Sequence, residues 1–578
     1  MSLLLVVVLL FFSSSCSVSS GQYYVSDDCS SVTQSPCNPL SVYAGNMSQY
    51  NNTIFYFIGT TNIRYYDYDV TMTAVKNVTL HGLDQSPSIN CNQEVYISSI
   101  AVQYSDNVTI SNISFSDCTV NVDSSNNFTI TNSVFASSFG TNYHYHYLVT
   151  SNAFDLKISS VFSAGFSWNL LYSPLPACSS ELLQYSLTLT NVIFIADSGI
   201  KLVMHHGTTY NVSIIFDHVQ CCTKPGLQVE GLFYFLIMDS SFHDVNDGPG
   251  LFIDFYEYSK SNHCSYPSTQ LTSTLLIEDS QFYNNKQGLK INSDVYLIEA
   301  VNYHIIIKSC LIYDNINEGL AIDGKFFKSL QIDIIDTELI GNGGNKIMNS
   351  NVISLSNVNV ANSTYTGLSL MASVVTINND LIFMNNTGVV GGGLAINDSS
   401  QLILTSSANL EFIDNHASYK GGGIYSEEST SSYMILKAPN IPLTLINNSA
   451  GLVGGDLYGY YMFILILYNY QFNLTNPNIS SASDATGICF CDPHTTTSYE
   501  NCLQTVSDQH NYPGQALKFN VALFGSDYFG SPTPTDGTVQ ILNNTKFLLN
   551  RTYIPNTCSL IEYTPKLTQS GYQSYIKL

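Results

Sequence analysis

The sequence predicts an all-β protein: a right-handed parallel β-helix, which is a solenoid, with an N-terminal cap and a small C-terminal β domain. Three observations predict it. A short phrase recurs from about residue 274 to about residue 458: an apolar residue, two spacers, an Asn, a few spacers, then Gly and another apolar residue. It reads FYNNKQGL (282–289), IYDNINEGL (312–320), LIGNGGNKI (339–347), VANSTYTGL (360–368), FMNNTGVVGGGL (383–394), FIDNHASYKGGGI (412–424) and LINNSAGLVGGDL (445–457). The recurring Asn falls at Asn285, Asn315, Asn342, Asn362, Asn386, Asn415 and Asn448, at intervals of 30, 27, 20, 24, 29 and 33 residues. A period of this length built from strands and turns is a solenoid signature. The second observation is a series of short alternating segments rich in Ile, Val, Thr and Phe, from NVTLHGL (77–83) through SLTLTNVIF (186–194) to LQIDIIDTEL (330–339). The third is that no apolar period of 3.6 residues is sustained anywhere, which argues against helical bundles and α/β folds. An array of β-sandwiches would not require an in-line Asn/Gly repeat.

In chain order, Leu3 to Phe12 form an unbroken apolar run followed by small residues to Ser20. This reads as a secretory signal peptide over 1–20, too short to span a bilayer. Residues 21–74 read as a cap holding Cys29 and Cys37 across turn-forming residues, a plausible local bridge. A solenoid needs its first open edge covered, because an exposed strand edge recruits other chains. Residues 75–484 read as the β-helix. There Asn tolerates left-handed backbone angles, and stacked at one corner its side chains bond up and down as a ladder. Gly391, Gly392, Gly393, Gly421, Gly422, Gly423, Gly454 and Gly455 read as turn glycines supplying positive φ. The texture changes at residues 485–578, which read as a Cys-rich small β domain or C-terminal cap. Its Cys489, Cys491, Cys502 and Cys558 allow two bridges in three pairings.

Composition bounds the function. Net charge is −24, with 19 basic and 43 acidic residues, and Arg64 and Arg551 are the only arginines. That argues against nucleic acid and against an anionic membrane surface. No apolar run after residue 20 reaches membrane-spanning length; YYMFILILY (460–468) is a strand-length run. The chain ends at Leu578 without a stop-transfer segment, so the ectodomain of a longer receptor stays among the alternatives.

Export agrees with 15 Asn-x-Ser/Thr sites, at Asn46, Asn51, Asn77, Asn107, Asn112, Asn127, Asn211, Asn362, Asn385, Asn397, Asn447, Asn473, Asn478, Asn543 and Asn550. With 11% of residues charged, glycans would supply solubility. Asn362 belongs both to the ladder and to a glycosylation site, and it cannot be buried and glycosylated at once. Fourteen cysteines, less Cys16 of the signal, leave an odd number and hence one thiol free or paired between chains. No spacing calls for zinc, since Cys489-x-Cys491 is too close for the usual knuckle; neither a metal nor a cofactor is expected.

The phrases FMNNTGVVGGGLAI and FIDNHASYKGGGIYS resemble the repeat of the chlamydial polymorphic outer membrane proteins, which pairs F-x-x-N with G-G-x-[ILV]. More broadly the chain resembles secreted right-handed β-helix repeat proteins of simple animals. The resemblance is good over about 380–460, diluted over 275–370, and only general over 75–270. It implies an adhesive or scaffold role at a surface, and departs from the bacterial family in showing no evident C-terminal membrane barrel.

Many β-helices cleave polysaccharides, and each such chemistry needs a recognisable set of residues. Pectin hydrolases share NTD, DD, G-H-G and R-I-K motifs, which are absent as a set; His205-His206-Gly207 is the nearest echo. Pectate lyases use an Arg base, and only Arg64 lies on the solenoid side. Acid/base work on sugars needs paired carboxylates. The pairs available are Asp244 with Asp247, Asp333 with Asp336 and Asp67 with Asp69, each more simply a solvated surface pair. His144 with His146 reads as incidental, and Glu427-Glu428 as a solvated turn. The leading expectation is a non-catalytic extracellular protein presenting a long face to glycans or proteins, with outward aromatic rings available for sugars. The alternative is a lyase or hydrolase of the pectin-lyase-like type.

Overall fold

A computed structural model describes most of residues 21–459, with gaps at 64–69, 92–98, 137–145, 173–182, 256–270, 293–300, 325–329, 428–432, 437–440 and shorter ones, and then isolated strands between 479 and 577. The expected signal peptide lies outside the described residues. The chain divides into two compact units, Met1–Asp333 and Ile334–Leu578.

The first unit is a right-handed parallel β-helix. Each coil carries strands on three faces, and every strand pairs in parallel with its counterpart in the next coil. One face runs through Lys76–Gly82, Asp106–Ser111, Asn126–Thr131 and Phe154–Ser159 to Leu271–Glu278 and Val301–Lys308. A second face of short strands runs from Ser88–Asn90 to Leu311–Tyr313. The third runs from Val70–Thr73 to Leu320–Asp323. Alternation sorts the side chains: in Asp106–Ser111, Val108 and Ile110 are buried while Thr109 and Ser111 point outward. Stacking in register begins earlier than residue 75, because Gly21–Val25 already pairs with Thr53–Phe57, and Thr53–Phe57 with Lys76–Gly82. A five-residue helix, Leu40–Ala44, and a cluster of Tyr23, Tyr43, Tyr50 and Phe55 sit at that end. Cys29 and Cys37 are bridged there.

Inward residues stack on themselves from coil to coil. Phe115 lies on Phe135 at 4.9 Å between ring centroids, and Phe242 on Phe282 at 5.2 Å. The column Phe135–Ser163–Phe194 shows how irregularity is absorbed. Small Ser163 leaves a gap, and Trp168, from the third face, sets its ring edge-on to Phe135 and Phe194 at 6.1 and 5.4 Å. Trp168, the sole tryptophan, is fully buried. A second bridge, Cys91–Cys118, joins equivalent corners of two successive coils. The sequence hints at it only through the shared placement of both cysteines just after a short strand.

The second unit repeats the architecture. Asp380–Met384, Asn409–Ile413 and Leu443–Ile446 stack in parallel, as do Leu368–Met371, Leu394–Asn397, Ile424–Ser426 and Leu457–Tyr458. Beyond residue 485 the pairing turns antiparallel, with Gly487–Phe490 and Ser559–Tyr563 flanking Leu517–Ser526, and Lys546–Tyr553 and Tyr575–Lys577 flanking Gly537–Asn543. The pairing of Cys489, Cys491, Cys502 and Cys558 lies outside the described residues.

The recurring Asn and Gly are one device. Asn285 is fully buried; its Nδ2 donates to Phe242 O at 3.0 Å, and its backbone N donates to Asn315 Oδ1 at 3.0 Å. In the second unit Asn386 and Asn415 do the same, donating through Nδ2 to Val360 O and Phe383 O, with their backbone N bonded to Oδ1 of Asn415 and Asn448. Asn342 is buried as well. The glycines make room. A Cβ at Gly288 would stand 2.9 Å from Asn315 Nδ2 and 2.5 Å from Gly319 O, and one at Gly367 would stand 3.0 Å from Asn386 Cγ.

Two expectations are corrected here. Asn362 is not in this column: it is exposed at the preceding corner position with φ 58°, and Ser363 takes the inner place, its backbone N donating to Asn386 Oδ1. Within the glycine triplets, positive φ belongs only to Gly391, Gly421 and Gly454. Gly392 and Gly422 are required by close approach instead, since a Cβ there would fall 2.4 and 2.2 Å from a neighbouring carbonyl oxygen.

Asn415→Ala is expected to cost about 2–4 kcal/mol in chemical denaturation, because it strands the Phe383 carbonyl and the Asn386 amide in the core. Trp168→Ala is expected to cost about 3–5 kcal/mol by the same measurement, because the fully buried indole packs against Phe135 and Phe194.

Candidate functional site

Outward residues form columns that repeat about every 4.8 Å, one residue per coil. The most chemically varied columns lie on the third face of the first unit. The strands Leu227–Glu230, Pro249–Asp254, Gln287–Asn292 and Leu320–Asp323 read L-x-[VI]-[DEN], with Leu and Val/Ile buried and the last residue turned outward. In register they align Glu230, Asp254, Asn292 and Asp323 in one column. The neighbouring column holds Lys201, Gln228, Phe252 and Lys290. Their charges are tied to one another. Lys201 Nζ lies 2.9 Å from Glu230 Oε1, Gln228 Nε2 donates to the same oxygen at 2.6 Å, and Lys290 Nζ sits 5.5 Å from the centre of the Phe252 ring. The result is a fixed strip of acceptors beside ammonium donors and an aromatic ring, chemistry suited to hydroxyl-rich or polar partners. Pairing carboxylates close in sequence does not find this strip. The signal that does is the repeated strand ending LQVE, LFID, LKIN, LAID.

On the short-strand face the outward rings His243, Tyr283 and Tyr313 stack in one column at 4.8 Å between centroids. Their faces are occupied by each other, as are those of Tyr24 with Tyr56 and Tyr425 with Tyr458. The shared faces are closed to a sugar, and Tyr283, between His243 and Tyr313, has both faces covered. Burial, then the neighbouring Tyr313 and Asp244, push the Tyr283 hydroxyl pKa up; burial and Asp314 do the same for Tyr313.

The carboxylates paired by sequence separate in the structure. Asp244 is a left-handed corner residue beside His243, and exposed Asp247 pairs with Lys286 at 2.8 Å, which lowers its pKa. Asp333 bonds His304 at 2.6 Å and accepts from Gln331, while Asp336 is another left-handed corner, accepting from Asn357. Glu427 accepts from the Asp398 backbone. Asp67, Asp69, His144, His205, His206, Glu428 and the side chain of His146 lie outside the described residues. Among the described residues no group of three or more His, Cys, Asp or Glu is placed to hold a metal ion, and no helix is long and apolar enough to cross a membrane.

Cys310 is a buried free thiol. It takes a place that Ser240 and Ser280 hold in earlier coils, each bonding the carbonyl two residues back, and its Sγ lies 3.3 Å from Lys308 O. Burial pushes its pKa up to about 12.

The glycosylation motifs on the first unit have a structural origin. Asn77-Val-Thr, Asn107-Val-Thr and Asn127-Phe-Thr each place Asn at a left-handed corner, the apolar residue inside and Thr outside. Their Nδ2 groups donate down the column, Asn127 to Asn107, Asn107 to Asn77, and Asn77 to Asn52. Asn112 donates to Gly82 O. Asn46, Asn51, Asn362, Asn385 and Asn447 are exposed, and Asn397 is half-buried. Asn473 and Asn478 lie outside the described residues, as do the side chains of Asn211, Asn543 and Asn550.

No family model and no curated protein matches the sequence. Solved structures that resemble it include the periplasmic alginate epimerase AlgG, 13% identical over 66% of this chain and 83% of that one, TM-score 0.36. An exopolygalacturonase from Thermotoga maritima is 10% identical over 50% of this chain and 79% of its own, TM-score 0.29. The tailspike of E. coli bacteriophage HK620, in complex with a hexasaccharide, is 12% identical over 93% and 87%, TM-score 0.34.

The Tyr283 and Tyr313 hydroxyls are neutral in both folded and unfolded chains below the ordinary tyrosine pKa. Above it the unfolded chain ionises first, so their contribution is lost as pH rises through the raised folded values. Difference ultraviolet titration of wild type against Tyr283→Phe and Tyr313→Phe is expected to assign late-titrating phenols to both. Cys310 is expected to resist thiol reagents in the native protein and to react only on unfolding, with Cys310→Ser changing stability by under about 1 kcal/mol.

Proposed function

We propose that this is a secreted recognition or scaffold protein that binds an extracellular glycan or protein along the strip Lys201–Gln228–Phe252–Lys290 and Glu230–Asp254–Asn292–Asp323. The observation that carries the reading is the register: donors, acceptors and a ring repeat at coil spacing on one rigid face. A chain molecule with its own repeat can meet such a strip at several points, each weak, with the ordering cost already met by the fold. Glu230 is held in place by Lys201 and Gln228, which fixes its carboxylate as an acceptor on this face. The likeness of residues 380–460 to the polymorphic outer membrane protein repeat, and of the whole to secreted β-helix proteins of simple animals, agrees with an adhesive role.

The second reading is a carbohydrate-active lyase or hydrolase. It is favoured by the spacing within the strip: Glu230 and Asp254 are one coil apart, and Asp254 and Asp323 two. Those steps, about 5 and about 10 Å, bracket the carboxylate separations of glycosidases.

Incubation of the secreted protein with a polysaccharide panel, read by mass spectrometry for new oligosaccharides and by an immobilised glycan array for binding, separates the two. Binding without chain shortening is expected. Phe252→Ala and Lys290→Ala are each expected to weaken that binding roughly tenfold while leaving thermal unfolding nearly unchanged. Shortened products abolished by Asp254→Asn would establish the enzyme instead.

A further inference from the structure

The second unit carries an aliphatic column. Ala361, Met384, Ile413 and Ile446 are register partners on successive coils. They occupy the place just before the corner; Met384 and Ile446 are 40% and 44% exposed, Ile413 is half-buried and Ala361 is buried. In the first unit the same column runs through Ala164, Ile195 (39% exposed) and Gln220 to His243, Tyr283 and Tyr313, and there the last three rings stack on one another. Met384 and Ile446 leave apolar surface along this ridge, and exposed apolar strips on regular β-structure invite other chains.

The residue after each member of this ridge is the left-handed corner: Asn362, Asn385, Asp414 and Asn447, with φ of 58, 53, 55 and 53°. Three of the four begin glycosylation motifs, Asn362-Ser-Thr, Asn385-Asn-Thr and Asn447-Asn-Ser, and all three are exposed. In the first unit the matching corners are Asp244, Asn284 and Asp314, and none begins such a motif. The motifs therefore accompany this ridge and are missing from the corners after His243, Tyr283 and Tyr313.

We propose that this corner column bears N-linked glycans at Asn447 and at one member of the pair Asn362 and Asn385, and that the first sugar of each lies with its C–H face over Met384, Ile413 and Ile446. Spacing sets the pattern. Asn362 and Asn385 sit on adjacent coils, with Asn385 Nδ2 donating to Asn362 Oδ1 at 2.9 Å, so two branched sugars there would compete for one coil's height. Asp414 intervenes before Asn447 and gives two coils of room. The inference rests on the secreted reading above.

The test uses the full chain secreted from eukaryotic cells. Glycopeptide mass spectrometry is expected to find Asn447 occupied and a single sugar chain per molecule on the Asn362–Asn385 pair. Complete enzymatic removal of the glycans is expected to raise fluorescence of an apolar dye several-fold, and trimming to the first sugar to leave it unchanged. Secreted protein glycosylated elsewhere but bare at Asn447, or doubly occupied at the pair, overturns the proposal and leaves the secreted reading standing. Protein bare at every motif overturns both. Occupied sites with dye binding indifferent to glycan removal overturn the covering role.

Discussion

The buried asparagine column is the constraint on which the coils depend. A solenoid turns its backbone at every corner, and each turn leaves carbonyls and amides inside without strand partners. Leaving one unmet costs about 1–3 kcal/mol. Asn386 and Asn415 each settle two of these groups on the preceding coil, a carbonyl through Nδ2 and a backbone amide through Oδ1. The amide fits only if the residue opposite has no side chain, which is why Gly288 faces Asn315 and Gly367 faces Asn386. Asn and Gly recur together because one occupies the space the other vacates.

Once the corner is fixed, the surface follows in columns. The residue two before the inner position is outward, and the one directly before it takes positive φ. Asx residues and serines fill that corner because they tolerate the conformation: Asn77, Asn107, Asn127, Asp244, Asp279, Asp314, Asn385 and Asp414 among them. Any chemistry placed outward is repeated at coil spacing. It becomes a hydrogen-bonded amide ladder at Asn52–Asn127, a ring stack at His243–Tyr313, an aliphatic ridge at Met384–Ile446, or a charged strip at Glu230–Asp323. Function in such a fold resides in which column is left to meet a partner and which is spent on covering itself.

The strip and the ridge illustrate the two uses. Lys201 with Glu230 and Lys290 with Phe252 are partly exposed contacts worth little to stability, and they keep donors, acceptor and ring ordered at the surface. The ring stack, in contrast, covers both faces of Tyr283 internally.

The sequence by itself determined the fold class, the period and the inner places of Asn285, Asn315, Asn386 and Asn415, because a one-dimensional repeat writes each coil's needs into nearby residues. It also carried the Cys29–Cys37 pairing, eight residues apart. Tertiary structure alone decided what depends on register between coils. Asn362 falls one place short of the inner column because Ser363 fills it, and a phrase aligned by eye cannot register a one-residue slip. Cys91 meets Cys118, Trp168 fills the gap at Ser163, and Glu230 joins Asp254 and Asp323, because coils of unequal length bring into contact residues that no fixed spacing relates.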